Sequence, residues 1–134
     1  MNQLQLQVEK LKDKILPEYY KSIDVDEGWY QLIVDCDKEL TAIDPNYQIF
    51  QIKQKFGGLR YYVHPSQSDT SKAMHEVVTK YEKIAAATCE ATGNPGVLMR
   101  SRSGWLKTLD PEWASSGKIH TKYYLANSEI FHKN

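Results

Sequence analysis

Residues 47–64 read YQIFQIKQKFGGLRYYVH, and this stretch decides the fold. It is rich in β-branched and aromatic residues, and Gly57-Gly58 splits it into two strand-like halves. Paired glycines supply the positive φ angles of a two-residue hairpin turn, so the segment predicts a β-hairpin. A turn at Gly57-Gly58 sets Phe56 opposite Leu59, Gln54 opposite Tyr61 and Ile52 opposite Val63 on one apolar face. The other face then pairs Lys55 with Arg60, Lys53 with Tyr62 and Gln51 with His64. One side looks to a core; the other is basic and aromatic.

Outward toward the N-terminus, Asp44-Pro45-Asn46 breaks a helical pattern in which Trp29, Leu32, Ile33, Cys36 and Leu40 share one face. Asp24 and Glu27, three residues apart, fit a cap at the start of that helix. Before it, Leu4, Val8, Leu11 and Ile15 predict an amphipathic helix over residues 3–16, ended by Pro17. Outward toward the C-terminus, residues 65–70 are a polar loop. Met74, Val77, Val78, Tyr81, Ile84, Ala85 and Thr88 mark a third helix, with Gly93 as its C-terminal cap. Residues 97–109, VLMRSRSGWLKTL, predict a second hairpin around 101–104 that brings Arg100 beside Trp105. KIHTKYYLA alternates as a last strand. The sum is an α+β fold: two to three helices packed on one face of a small antiparallel sheet made of hairpins. One domain spans 1–134, with a helical extension at 1–23, a core at 24–113, and a strand and tail at 114–134.

A chain of 134 residues with 41% apolar and 25% charged side chains buries about two thirds of its unfolded surface and needs no staple. Cys36 and Cys89 fall where helix is predicted, and MNQLQLQVEKLKDK has no apolar signal core, so reduced thiols and a cytoplasmic setting are expected. No run approaches the ~20 apolar residues of a membrane span. Net charge is zero but uneven: residues 1–46 hold five lysines against ten carboxylates, while residues 47–68 hold Lys53, Lys55 and Arg60 with no acid.

The candidate binding surface is therefore the basic hairpin face, Lys53, Lys55, Arg60, Tyr62 and His64, joined by Arg100 and Trp105 if the two hairpins meet. Cations beside an aromatic platform hold nucleotides and single strands. The same pattern equally describes a solvated sheet face whose lysines discourage edge pairing, or one covered by the acidic front. Asp24, Asp26, Asp35, Asp37 and Glu39 read as caps and a wet helix face, since only Asp35 and Glu39 share a side and no histidine joins them. Cys36 reads as core, Cys89 lies away from a helix N-terminus, and the four histidines are scattered. No phosphate-cradling or dinucleotide motif is present.

Gly28-Trp29, IKQKFGGLRYY at 52–62, TCEATG at 88–93 and GWLKTL at 104–109 resemble an uncharacterised family of small phage and bacterial proteins. The resemblance implies a shared fold over residues 27–113 and, in members of the family, a zinc knuckle: a Cys-x-x-Cys after the third helix, then Cys with Cys or His beyond GWLKTL. Here Cys89 stands at the first of those positions, Thr92 at the second, and Asp110 and Trp113 at the last two. One thiolate and one carboxylate do not make a closed tetrahedral site, so no metal or other cofactor is expected. The leading expectation is a non-enzymatic protein that binds nucleic acid or a nucleotide. The alternatives are a phage factor that binds or inhibits a host protein and, less favoured, a phosphoester hydrolase built on His64.

Overall fold

A computed structural model describes residues 1–128 and Phe131; His132 and the rest of the expected tail lie outside the described residues. The chain runs α1 (Gln3–Leu11), β1 (Ile23–Asp24), α2 (Tyr30–Ile43), β2 (Gln48–Lys55), β3 (Gly58–His64), α3 (Ser71–Ala85), β4 (Val97–Ser101), β5 (Leu106–Leu109), α4 (Pro111–Ala114) and β6 (Tyr123–Leu125). These elements build a small α+β fold, as the sequence predicts.

Asn2 starts α1 through a capping box: its side chain accepts from the Gln5 amide at 2.8 Å, and Gln5 reaches back to the Asn2 amide at 2.9 Å. The helix tightens into a 3₁₀ turn at Lys12–Lys14 and stops there, because Ile15 bridges Ile49. Asp24, expected as the helix cap, instead lies with Ile23 in β1, which runs parallel to β2 with Ile23 beside Ile52 and Asp24 beside Lys53. The cap position passes to Asp26, ahead of a 3₁₀ turn at Glu27–Trp29.

Two three-stranded sheets result, ordered β1-β2-β3 and β5-β4-β6, so the hairpins do not share one sheet. The three long helices cover one face of the first. Ile49, Ile52, Leu59 and Tyr61 bury against Val8 and Leu11 of α1, Ile33, Cys36 and Leu40 of α2, and Met74, Val78 and Ala85 of α3. Ile49 and Ile52 both point inward although three residues separate them, because the register slips between Ile49 and Gln51. A β-bulge at Phe50 produces this by inserting one unpaired residue. The second sheet has a smaller core of Cys89, Met99 and Leu109, with Trp113 and Tyr123 packed on it.

Two expectations about α3 fail together. It ends at Ala85, not near Gly93, and Cys89 lies beyond it in a loop. Gly93 (φ +84°) serves that loop, its amide donating to the Cys89 carbonyl at 2.9 Å. The loop wedges against the start of α2: Gly28 donates to Glu90 O at 2.7 Å, and a Cβ at position 28 would lie 2.4 Å from the carbonyl oxygens of both Cys89 and Glu90. Trp29, fully buried, donates from its indole N–H to Thr88 O at 2.8 Å. These bonds weld the two cores together.

Candidate functional site: the outer face of the first hairpin

The tip of the first hairpin is not where its glycines suggest. Lys55 pairs with Gly58, so the two-residue turn is Phe56-Gly57 with φ +54° and +82°. Both central residues are left-handed, as in a type I′ turn. Every cross-strand partner moves accordingly: Gln54 faces Leu59, Ile52 faces Tyr61, Lys53 faces Arg60, and Gln51 faces Tyr62. Lys55 is therefore not opposite Arg60, Lys53 not opposite Tyr62, and His64 sits opposite Gln48. Phe56, expected inside against Leu59, is 70% exposed.

The reason is tertiary. Thr108 of β5 donates its buried hydroxyl to the Gly57 carbonyl at 2.7 Å, and a Cβ at position 57 would come within 2.6 Å of Leu98. The second sheet holds the Gly57 peptide, and the register follows from it.

The shift keeps Lys53, Lys55, Arg60, Tyr62 and His64 on one side, away from the helices. Lys53 and Arg60 stand directly opposite, a like-charged pair that costs a hairpin about 0.2–1 kcal/mol. Among the described residues, no carboxylate pairs with Lys53, Lys55 or Arg60. Four of the ten acids of the front half are paired elsewhere: Glu9 with Lys12, Asp37 with Lys14, Glu39 with Lys80 and Asp26 with Lys107, all between 2.6 and 2.8 Å. Asp24, beside Lys53 in the ladder, accepts from Ser22 at 3.0 Å. Arg60 folds back onto the Leu59 carbonyl at 3.2 Å.

Aromatic rings extend this face. Phe50 meets Tyr19 edge-on at 5.4 Å and His64 edge-on at 5.2 Å. Sequence reasoning missed Phe50, although the clue was present: apolar residues at 49, 50 and 52 cannot follow one strict alternation. His64 has no hydrogen bond to a carboxylate among the described residues. A groove of about 490 Å³ runs along the open edge of β3, between Arg60, Tyr62 and Val63 on one side and His75, Val78 and Glu82 of α3 on the other.

The second group divides. Trp105, 69% exposed, joins the first hairpin: with Lys55, Phe56, Gln54, Ser103 and Leu106 it lines a groove of about 410 Å³. Arg100 does not, because the register sets it opposite Leu106 and its guanidinium lies 4.6 Å from the Phe131 ring. Arg100 therefore leaves the candidate surface.

Comparison with protein-family models, with curated proteins and with solved structures finds no match. Cys89 and Trp113, two of the four positions that the resemblance sets against a knuckle, meet at the second core. Cys89 is fully buried and Trp113 packs on its cluster. Asp110 caps α4 by accepting from the Glu112 amide at 3.0 Å. No group of three or more metal-binding side chains converges among the described residues.

Three buried polar groups complete the electrostatics. Burial pushes the Tyr47 and Tyr61 hydroxyls well above their ordinary range; they lie 2.7 Å apart, and Tyr47 donates to Asp37 at 2.6 Å. Glu90 is 1% exposed and receives the Asp26 amide on one carboxylate oxygen at 2.9 Å, while the other oxygen has no protein partner. Burial raises its pKa, against the opposing pull of that hydrogen bond and of Lys107. No described helix is long and apolar enough to cross a membrane.

Proposed function

We propose that the chain is a non-enzymatic binding protein that holds single-stranded nucleic acid or a nucleotide on the outer face of its first hairpin. One observation carries this reading: Lys53 and Arg60 face each other across the ladder, with no ion-paired carboxylate among the described residues, next to an exposed Tyr62. A phosphate between the two cations removes their repulsion, and Tyr62 offers a ring on which a base stacks. Lys55 and His64 extend the contact along both strands.

The test is fluorescence anisotropy of a labelled single-stranded oligonucleotide across a salt series. Three phosphate contacts give a slope of roughly −2 in log K against log salt. The double charge reversal Lys53→Glu, Arg60→Glu should abolish binding while the circular dichroism spectrum stays the same. An affinity indifferent to salt sinks the reading.

A second reading has its own support in the open edge of β3. Its groove against α3 suits an extended peptide added as a fourth strand, which fits a factor that binds or inhibits a host protein, the setting the family resemblance implies. Pull-down from nuclease-treated bacterial lysate separates the two: one stoichiometric protein retained favours this second role, and binding lost with the nucleic acid favours the first.

A further inference from the structure

The hairpin tip carries a feature that the basic face does not require. Phe56 is the one non-glycine residue with positive φ among those described, at +54°. A left-handed conformation is disfavoured for an L-residue with a bulky side chain, and asparagine or glycine is the usual occupant of a type I′ turn. Phe56 gains no burial in return, since it is 70% exposed. Strain of this kind persists where the surroundings enforce it, and it concentrates at ligand clamps. Here the surroundings do enforce it, through the Thr108 bond to Gly57.

Across the groove stands Trp105, equally exposed at 69% and projecting from the other sheet. The wall between them offers polar edges. Gln54 takes the Gly57 amide on its carbonyl oxygen at 3.1 Å, which leaves its NH₂ free to donate. Ser103 adds a hydroxyl. Lys55 lies at the rim, its ammonium 5.6 Å from the Phe56 ring centre. Aromatic walls, amide and hydroxyl edges and a cation at the mouth match one ligand class: a planar heterocycle that carries a phosphate.

We propose that this groove takes a single unstacked nucleobase between Phe56 and Trp105, with Lys55 on its phosphate. The inference rests on the nucleic-acid reading above and adds to it a base-holding clamp built from two separate sheets. Because the Gly57 anchor fixes the tip, the clamp stands open before the ligand arrives, which lowers the ordering cost of binding.

The test compares a ten-residue oligothymidylate with an abasic strand of the same length and charge, each titrated against the full chain with Trp fluorescence as a second readout. Stacking adds about tenfold or more in affinity per base held. Wild type should bind the oligothymidylate at least tenfold more tightly than the abasic strand and quench Trp105. Phe56→Asn and Trp105→Ser should erase that preference yet keep the abasic affinity and its salt slope; the asparagine variant suits the turn, so folding is not in question. Equal, salt-dependent binding of both strands by wild type overturns the clamp and leaves the sheet-face reading standing. Binding of neither strand overturns both.

Discussion

Phe56 and Glu90 are two residues whose placement works against stability. At position 56 the strain is conformational. Phe56→Asn replaces a left-handed phenylalanine with a residue that tolerates that region, so the variant should unfold about 1 kcal/mol later in a denaturant titration. A loss of stability would show that the ring packs more than its exposure indicates. At position 90 the strain is electrostatic. Burial raises the Glu90 carboxyl above its ordinary value, so between the ordinary pKa and the folded one the native chain binds more protons than the unfolded chain. Stability therefore falls as pH rises through that window and recovers as pH drops back toward the ordinary value. Glu90→Gln keeps an acceptor for the Asp26 amide and removes the titration. The slope of stability against pH should flatten in that window, while Glu90→Ala should be less stable at every pH because the amide loses its acceptor. Denaturant midpoints measured from pH 4 to 8 check both. Nothing in the sequence announced Glu90, since a lone glutamate in TCEATG carries no pattern; its burial comes from the loop's wedge against Gly28.

At the level of elements, the three long helices and both hairpins were legible because their periodicities run over many residues, whereas the four-residue α4 was not read. The hairpin register was not. FGG admits a turn at either Phe56-Gly57 or Gly57-Gly58, and Thr108 and Leu98, 51 and 41 positions away, select the first. β1 escaped for a similar reason: two residues pair in parallel with a strand that begins 24 positions later, and no local alternation records that. The slip in register moved the opposed cations from Lys55–Arg60 to Lys53–Arg60, yet left the charges on the same face. A substitution there separates stability from binding. Lys53→Thr removes one member of the like-charged pair and places a good strand former in β2, so it should raise the unfolding free energy by about 0.2–1 kcal/mol. The same variant should weaken oligonucleotide binding and reduce its salt slope by about one phosphate contact. Unchanged stability would mean that solvent already screens the pair.

The whole molecule is two cores of unequal size bound at a few points. The larger holds all three long helices and the first sheet; the smaller rests on Cys89, Met99 and Leu109. Regions with fewer buried contacts open at lower free energy. Amides of β4, β5 and β6 should therefore exchange with deuterium before those of α2 and β2. Thr108→Val removes the buried bond to Gly57 and should cost about 1–2 kcal/mol, widening the gap between the two exchange rates. If the two regions exchange together in wild type and variant alike, they form one cooperative unit. Sequence reasoning left open whether the hairpins share a sheet, because relative placement of two compact units depends on contacts that no periodicity encodes. It grouped Cys89, Thr92, Asp110 and Trp113 only through the family resemblance; in the structure Cys89 belongs to the smaller core, Trp113 packs on it and Asp110 caps α4.

The weld between those cores also sets an order of events during synthesis. The amides of Asp26 and Gly28 and the indole of Trp29 find their hydrogen-bond partners at Glu90 and Thr88. A growing polypeptide that has exposed its first helices to the cell still lacks the acceptors for these donors, and the indole must stay wet until some sixty further residues have left the ribosome. The front of this protein waits for its back, and any pause in translation between the two prolongs the interval in which Trp29 is open to other partners.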